Sequence, residues 1–233
     1  MDRLCVFDLD GTLVDTAPDL LDTTNFVLET EGLAPIPPDT LRSFIGMGAR
    51  TMVGRAFRSY GRDVDERELD RLRDVFVDHY ATRLARLSRP FPEMLAALDT
   101  LEAAGVACAI CTNKTEGLAR ELVDALGLTP RFVALTGGDT FAFSKPDPRH
   151  LFETIRRAGG DPARTAYVGD SRVDFETAQA AGIAMVGVTY GYTDVPMDVL
   201  CPARLCRPGE DVGAAVLSLL PPAEGAGAGA VAV

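Results

Sequence analysis

From residue 90 to residue 189 the chain switches repeatedly between two hydrophobic periods, and no other feature restricts its fold as strongly. Residues 106–111 are an uninterrupted apolar run, the pattern of a strand buried on both faces. Shorter runs at 132–136, 166–168 and 184–189 also read as strands. Helical stretches lie between them at 93–104, 115–126, 148–158 and 172–181. Met94, Leu95, Leu98 and Leu101 share one face of the first, and Gly105, Gly127 and Gly182 stand where three of them stop. Strands alternating with helices predict an α/β fold with a parallel sheet covered on both faces. Residues 4–7 are one more apolar run and belong to the same sheet.

Helical patterning dominates from about residue 15 to 87, in segments 18–31, 38–45, 49–60 and 66–87, with turn signals at Gly32, the prolines of 35–38, Gly46, Gly48 and Gly61. Thr16-Ala17-Pro18-Asp19 reads as a helix start, with a threonine N-cap, an early proline and an acid three positions on. The expected organisation is therefore a sheet core formed by 1–14 and 88–220, with a helical insertion at 15–87 as a lid over the sheet. The Ala/Gly-rich tail at 221–233 has few side chains to pack and is expected to be flexible.

With 233 residues there is room for one large domain or a domain plus a smaller one. The 23 basic against 34 acidic residues, a formal charge of -11, argue against a nucleic-acid partner. No stretch approaches the ~20 apolar residues of a membrane span, and Asp8 and Asp10 arrive before any secretory apolar region could form. A cytoplasmic location with no membrane partner is expected. Five cysteines show no disulfide framework, and Cys108 and Cys111, three apart in a strand, face opposite sides and read as core thiols. His79 and His150 have no metal-like companions and read as structural or surface residues. There are two lysines, Lys114 and Lys145, against twenty-one arginines.

In an open parallel sheet the ligand lies beyond the carboxyl ends of the strands. After residues 4–7 come Asp8 and Asp10, on one side of the extended chain, and then Gly11, free to turn. After 106–111 come Thr112, Asn113 and Lys114; after 166–168 come Gly169, Asp170, Ser171 and Asp174; and Lys145 precedes Pro146. Carboxylates without histidine or cysteine suit a hard cation such as magnesium, and a hydroxyl with a lysine suits phosphate oxygens. These residue types point to phosphoryl transfer. Asp174, three residues after Ser171, equally fits a capping box at a helix start, and Lys114 reads as a solvated surface lysine.

Asp8-Leu9-Asp10-Gly11-Thr12, Thr112-Asn113, Lys145-Pro146 and Gly169-Asp170-Ser171-x-x-Asp174, in that order, resemble the four motifs of the haloacid dehalogenase superfamily over about residues 5–192. The resemblance implies a Rossmann-like parallel sheet core with an inserted α-helical cap, entered through a hinge at 11–15. It implies Asp8 as the nucleophile that forms an aspartyl phosphate and Asp10 as the acid and base. Thr112, Asn113 and Lys145 would hold the phosphoryl group. Mg2+ would be bound by Asp8, Asp170 and the backbone carbonyl of Asp10, with Asp174 either a ligand or a support behind the metal.

Within the superfamily, dehalogenases lack the acid that stands here as Asp10, phosphonatases need a cap lysine that 15–87 does not contain, and β-phosphoglucomutases carry a cap histidine where this chain has Leu20. That leaves a phosphatase. Residues 15–20, 45–49, 168–174 and 187–192 resemble the bacterial branch acting on 2-phosphoglycolate, with Arg50 expected to meet the substrate carboxylate. Pyrophosphatase, sugar-phosphate phosphatase and β-phosphoglucomutase activities, and a catalytically silent binding module, are the alternatives. The expected partner is a small phosphorylated metabolite; monomer and homodimer stay open.

Overall fold

The computed structural model describes residues 2–223. Six parallel strands form the central sheet: β1 (Leu4–Phe7), β4 (Ala107–Cys111), β5 (Ala134–Thr136), β6 (Thr165–Gly169), β7 (Ala184–Val188) and β8 (Arg204–Cys206). Their order across the sheet is β5-β4-β1-β6-β7-β8, so β1 is central, between β4 and β6. The chain leaves β1 toward one edge and later fills the other, which makes the carboxyl end of β1 the switch point where such sheets bind ligands.

Alternation along β1 builds both halves of the core. Cys5 and Phe7 pack with Leu98, Leu101, Leu122 and Val216 on one face, whereas Leu4 and Val6 pack with Leu151, Ile155 and Ala178 on the other. The first layer uses α5 (Pro92–Ala103), α6 (Glu116–Ala125) and α10 (Val212–Leu217); the second uses α7 (Pro148–Arg157) and α8 (Arg172–Ala181), and α9 (Met197–Leu200) adds Met197. Cys108 and Cys111 are divided between the two faces. Burial pushes their thiols up to about 12 and about 11, which suits inert core residues. His150 is buried against the ring of Phe141, and burial, followed by the charge of Lys145, lowers it to about 4, so it is neutral. His79 stacks on Phe26.

Residues 17–81 supply four helices, α1 (Ala17–Thr30), α2 (Pro38–Arg42), α3 (Ala49–Ser59) and α4 (Glu66–Ala81), with their own apolar cluster around Leu28, Phe57, Leu72, Phe76 and Tyr80. Tyr192 and Leu118, from outside this block, complete that cluster. The segments that enter and leave the block pair as a two-stranded antiparallel ribbon, β2 (Val14–Asp15) with β3 (Arg89–Pro90). Such a ribbon is too short to leave a periodic trace in the sequence.

Several local expectations are corrected: the second helix of the block ends at Arg42 rather than at 45, β5 begins at Ala134 rather than at 132, and β8, α9 and α10 lie where the sequence predicted no element. The last helix of the block stops at Ala81 rather than Leu87, and Ala85 takes a left-handed φ of 59° in the turns that follow. Asp19 is the reason the chain turns there. Its buried carboxylate accepts from the Leu87 N–H at 3.0 Å, the Ser88 N–H at 2.8 Å and the Ser88 hydroxyl at 2.6 Å, so it clasps the exit segment. Asp19 is thus not the acid of a capping box, and Thr16 makes no side-chain cap bond. Among the described residues no helix is long and apolar enough to cross a membrane. From residue 224 onward the expected flexible tail lies outside the described residues.

Candidate active site

The carboxyl ends of β1, β4 and β6 converge on one buried cluster of charge. Asp8 follows β1, and the Lys145 Nζ lies 2.9 Å from its Oδ1. The same ammonium donates to Asp174 Oδ1 at 2.7 Å and to the Tyr167 hydroxyl at 3.1 Å, so two of its three protons are hydrogen-bonded. Asp170, after β6, accepts from the Thr12 hydroxyl and the Tyr192 N–H, both at 2.5 Å. Asp8, Asp170 and Asp174 offer carboxylate oxygens that all lie within 4.8 Å of one another.

Burial dominates the electrostatics. It lifts Asp8 to about 7, aided by Asp174 and opposed by Lys145. Asp170 is likewise raised, by burial and then by Asp174 and Asp8. Burial would raise Asp174 as well, but Lys145 and the hydrogen bonds from Ser171 and Tyr167 hold it below the usual carboxylate range. Four carboxylates, Asp8, Asp10, Asp170 and Asp174, face two ammoniums, Lys114 and Lys145. The excess of two negative charges on hard oxygen donors is a good fit for one divalent cation.

The donors are not equivalent. Asp174 Oδ2 accepts from the Ser171 N–H at 3.1 Å and the Ser171 hydroxyl at 2.5 Å, closing the capping box of α8, while Oδ1 accepts from Lys145 and Tyr167. All four lone-pair positions of a carboxylate are then filled. Asp174 therefore holds Lys145 in place and closes the capping box, while its carboxylate also stands in the acid cluster with Asp8 and Asp170. Asp8 and Asp170 have fewer of their lone pairs filled by hydrogen bonds. The side chain of Asp10 is outside that cluster and pairs with Lys114, so a metal role for Asp10 rests on its backbone carbonyl alone.

Beyond Asp8 opens a narrow cavity of about 60 Å³ between the sheet ends and the helical block. Thr112 and Asn113 line it, and Asn113 Nδ2 donates to the carbonyls of Gly46 and Lys145, at 3.1 and 3.0 Å. That bridge ties the loop before α3 to the lysine-bearing loop. Two residues that the sequence singled out stand differently from what was expected. Arg50 follows the cavity-lining Ala49, yet its guanidinium turns outward to Glu66 and to Asp70, so it does not line the cavity. Lys114 is no surface lysine: it is 8% exposed, with Nζ 3.1 Å from Asp10 Oδ1 and 3.0 Å from the Tyr80 hydroxyl.

Tyr192 was not foreseen as a functional residue. Besides its N–H bond to Asp170, its hydroxyl donates to Asp15 and accepts from the Ala17 N–H at 3.0 Å, which links the acid cluster to the entry of the helical block. Its neighbour Gly191 and Gly11 make this possible. A Cβ at Gly191 would sit 2.2 Å from Asp170 Oδ2, and one at Gly11, whose φ is +87°, would sit 2.6 Å from the same atom. Gly191→Ala should therefore push Asp170 out of register and weaken divalent-cation binding by roughly 10- to 100-fold, the usual cost of disturbing a ligand's support. Calorimetric titration with Mn2+ measures this, and an unchanged affinity would contradict the placement of Asp170 as a ligand.

The profile of haloacid dehalogenase-like hydrolases matches residues 5–188, and the chain belongs to that family. Its relatives narrow the class. A phosphoglycolate phosphatase of Mesorhizobium japonicum is 52% identical over 82% of this chain and 84% of its own length, and one of Agrobacterium fabrum is 49% identical over 85% of each. A crystal structure described as a predicted phosphoglycolate phosphatase from Haemophilus somnus superimposes with a TM-score of 0.80 at 31% identity, covering 87% of this chain and 92% of that one. By family and by relatives this chain is a phosphatase.

Proposed function

We propose that the chain is a magnesium-dependent phosphatase that hydrolyses 2-phosphoglycolate to glycolate and phosphate through an aspartyl phosphate on Asp8. The observation that carries the chemistry is Asp8 at the floor of the cavity, with Lys145 at 2.9 Å and Asp170 in the same cluster of acids. The substrate class follows from relatives named for 2-phosphoglycolate that are about half identical over more than four-fifths of each chain.

In the first step an Asp8 carboxylate oxygen attacks phosphorus while the bond to the leaving oxygen breaks, and Asp10 delivers a proton to that oxygen. In the second, Asp10 takes a proton from water as it attacks phosphorus, and the bond to Asp8 breaks. Lys145 exchanges its contact with Asp8 for a phosphoryl oxygen, held in line by Asp174 and Tyr167. Thr112 and Asn113 bind the remaining oxygens. Asp8, Asp170 and the backbone carbonyl of Asp10 would hold Mg2+, which would supply positive charge opposite the negative phosphoryl oxygens. An acid or base contributes only about 10² to 10⁴ to the rate, so much of the remaining acceleration must come from positioned positive charge. Free cysteines, four of the five buried, favour a reducing compartment, the cytoplasm.

Phosphate release from a panel of 2-phosphoglycolate, pyrophosphate, sugar phosphates and nucleotides tests this. The highest kcat/KM is expected on 2-phosphoglycolate, with activity lost in EDTA and restored by Mg2+. Preference for pyrophosphate or a sugar phosphate would overturn the substrate, and isomerisation of β-glucose 1-phosphate would reinstate the mutase.

A further inference from the structure

We propose that Lys114 is the specificity residue for an anionic leaving group, pairing with a carboxylate that stands one carbon away from the scissile oxygen. This inference rests on the reading above that the substrate is 2-phosphoglycolate. The cavity wall contributed by the helical block is apolar, with Leu20, Ile45, Met52, Phe76 and Val77, and Leu118 adds to it from α6. The charged side chains that line it are Asp8, Asp10 and Lys114, so Lys114 is the cation of the lining. A carboxylate entering such a wall unpaired would carry a heavy desolvation cost. Arg50, the other candidate, is committed to Glu66 and Asp70.

Position supports the assignment independently of charge. Asp10 must reach the scissile oxygen to protonate it, and Lys114 Nζ is 3.1 Å from Asp10. A leaving group of the form O–CH2–COO− places its carboxylate only two bonds beyond that oxygen, within reach of the same ammonium. Lys114 has three protons; Asp10 and Tyr80 take two, leaving one for an incoming acceptor. Tyr80 belongs to α4, so the contact that orients the lysine comes from the helical block. The same groups would not reward an uncharged leaving group.

The test compares 2-phosphoglycolate with ethyl phosphate, which has the same two-carbon leaving group without the charge. In wild type the ratio of their kcat/KM values is expected to favour 2-phosphoglycolate. In Lys114→Met that ratio should fall roughly 10- to 100-fold, the worth of a charge-assisted hydrogen bond, mainly through KM for 2-phosphoglycolate. Lys114→Arg should recover part of it. An unchanged ratio in a variant that still binds Mg2+ would overturn the role of Lys114 and leave the substrate standing. No preference in wild type would overturn both. Should Lys114→Met fail to fold, wild type still decides: 3-phosphonopropionate should inhibit at least about 10-fold more tightly than propylphosphonate, and equal inhibition refutes the proposal.

Discussion

Asp8→Asn is expected to reduce phosphate release by at least about 10⁴-fold, because loss of a nucleophile removes the step on which the other groups act. The fold should survive it. Asp8 is 3% exposed, and burial lifts its carboxyl to about 7 from an ordinary 3.8. In metal-free protein the folded state therefore keeps a proton that the unfolded chain has already lost. Stability falls as pH rises from about 4 to about 7, and the penalty is complete above that window. The asparagine carries no such penalty. In EDTA, Asp8→Asn should melt at a higher temperature than wild type at pH 8 and at the same temperature near pH 4. Full activity in this variant would end the aspartyl-phosphate mechanism, and a lower melting temperature at pH 8 would contradict the desolvation of Asp8.

Lys145→Met should damage both stability and catalysis. Lys145 is 4% exposed and stands between Asp8 and Asp174. Burial lowers its affinity for a proton, but the two carboxylates outweigh this and keep it charged. Removing the ammonium strands two buried acids, and breaking a buried ion pair on one side costs about 3–5 kcal/mol. Guanidinium titration should show a correspondingly lower midpoint. Adding Asp174→Asn should return part of the loss, since the two changes act on one network, while activity stays absent because nothing replaces the phosphate contact. A wild-type midpoint for Lys145→Met would show that the buried ion network contributes no net stability.

Strands β1, β4, β5, β6 and β7, helices α5 to α8 and the strand-end positions of Asp8, Asp10, Thr112 and Asp170 were legible in the sequence, whereas β8, α9 and α10 were not. Their signal is local: a period of 2 or 3.6 and the residue that ends each run. The order of the family motifs gave these residues, and Lys145, their expected roles. The ribbon of β2 and β3 and the clasp of Asp19 on Ser88 were not legible, since they join residues 69 to 76 positions apart without a periodic trace.

Local pattern and long-range pairing thus divide what is known of this protein. By itself the sequence determined an α/β sheet with acids at its carboxyl edge and a helical insertion behind the first strand. Only the tertiary structure decided which of the charges serve the cavity. Arg50 and Lys114 are both basic residues beside a loop, and nothing within a few positions of either says that one turns out to Glu66 and the other inward to Asp10 and Tyr80. Asp174 likewise became the holder of Lys145 through a partner 29 residues away. A side chain's partner depends on where the chain returns, and that return is fixed by the packing of the whole core rather than by any neighbouring residue.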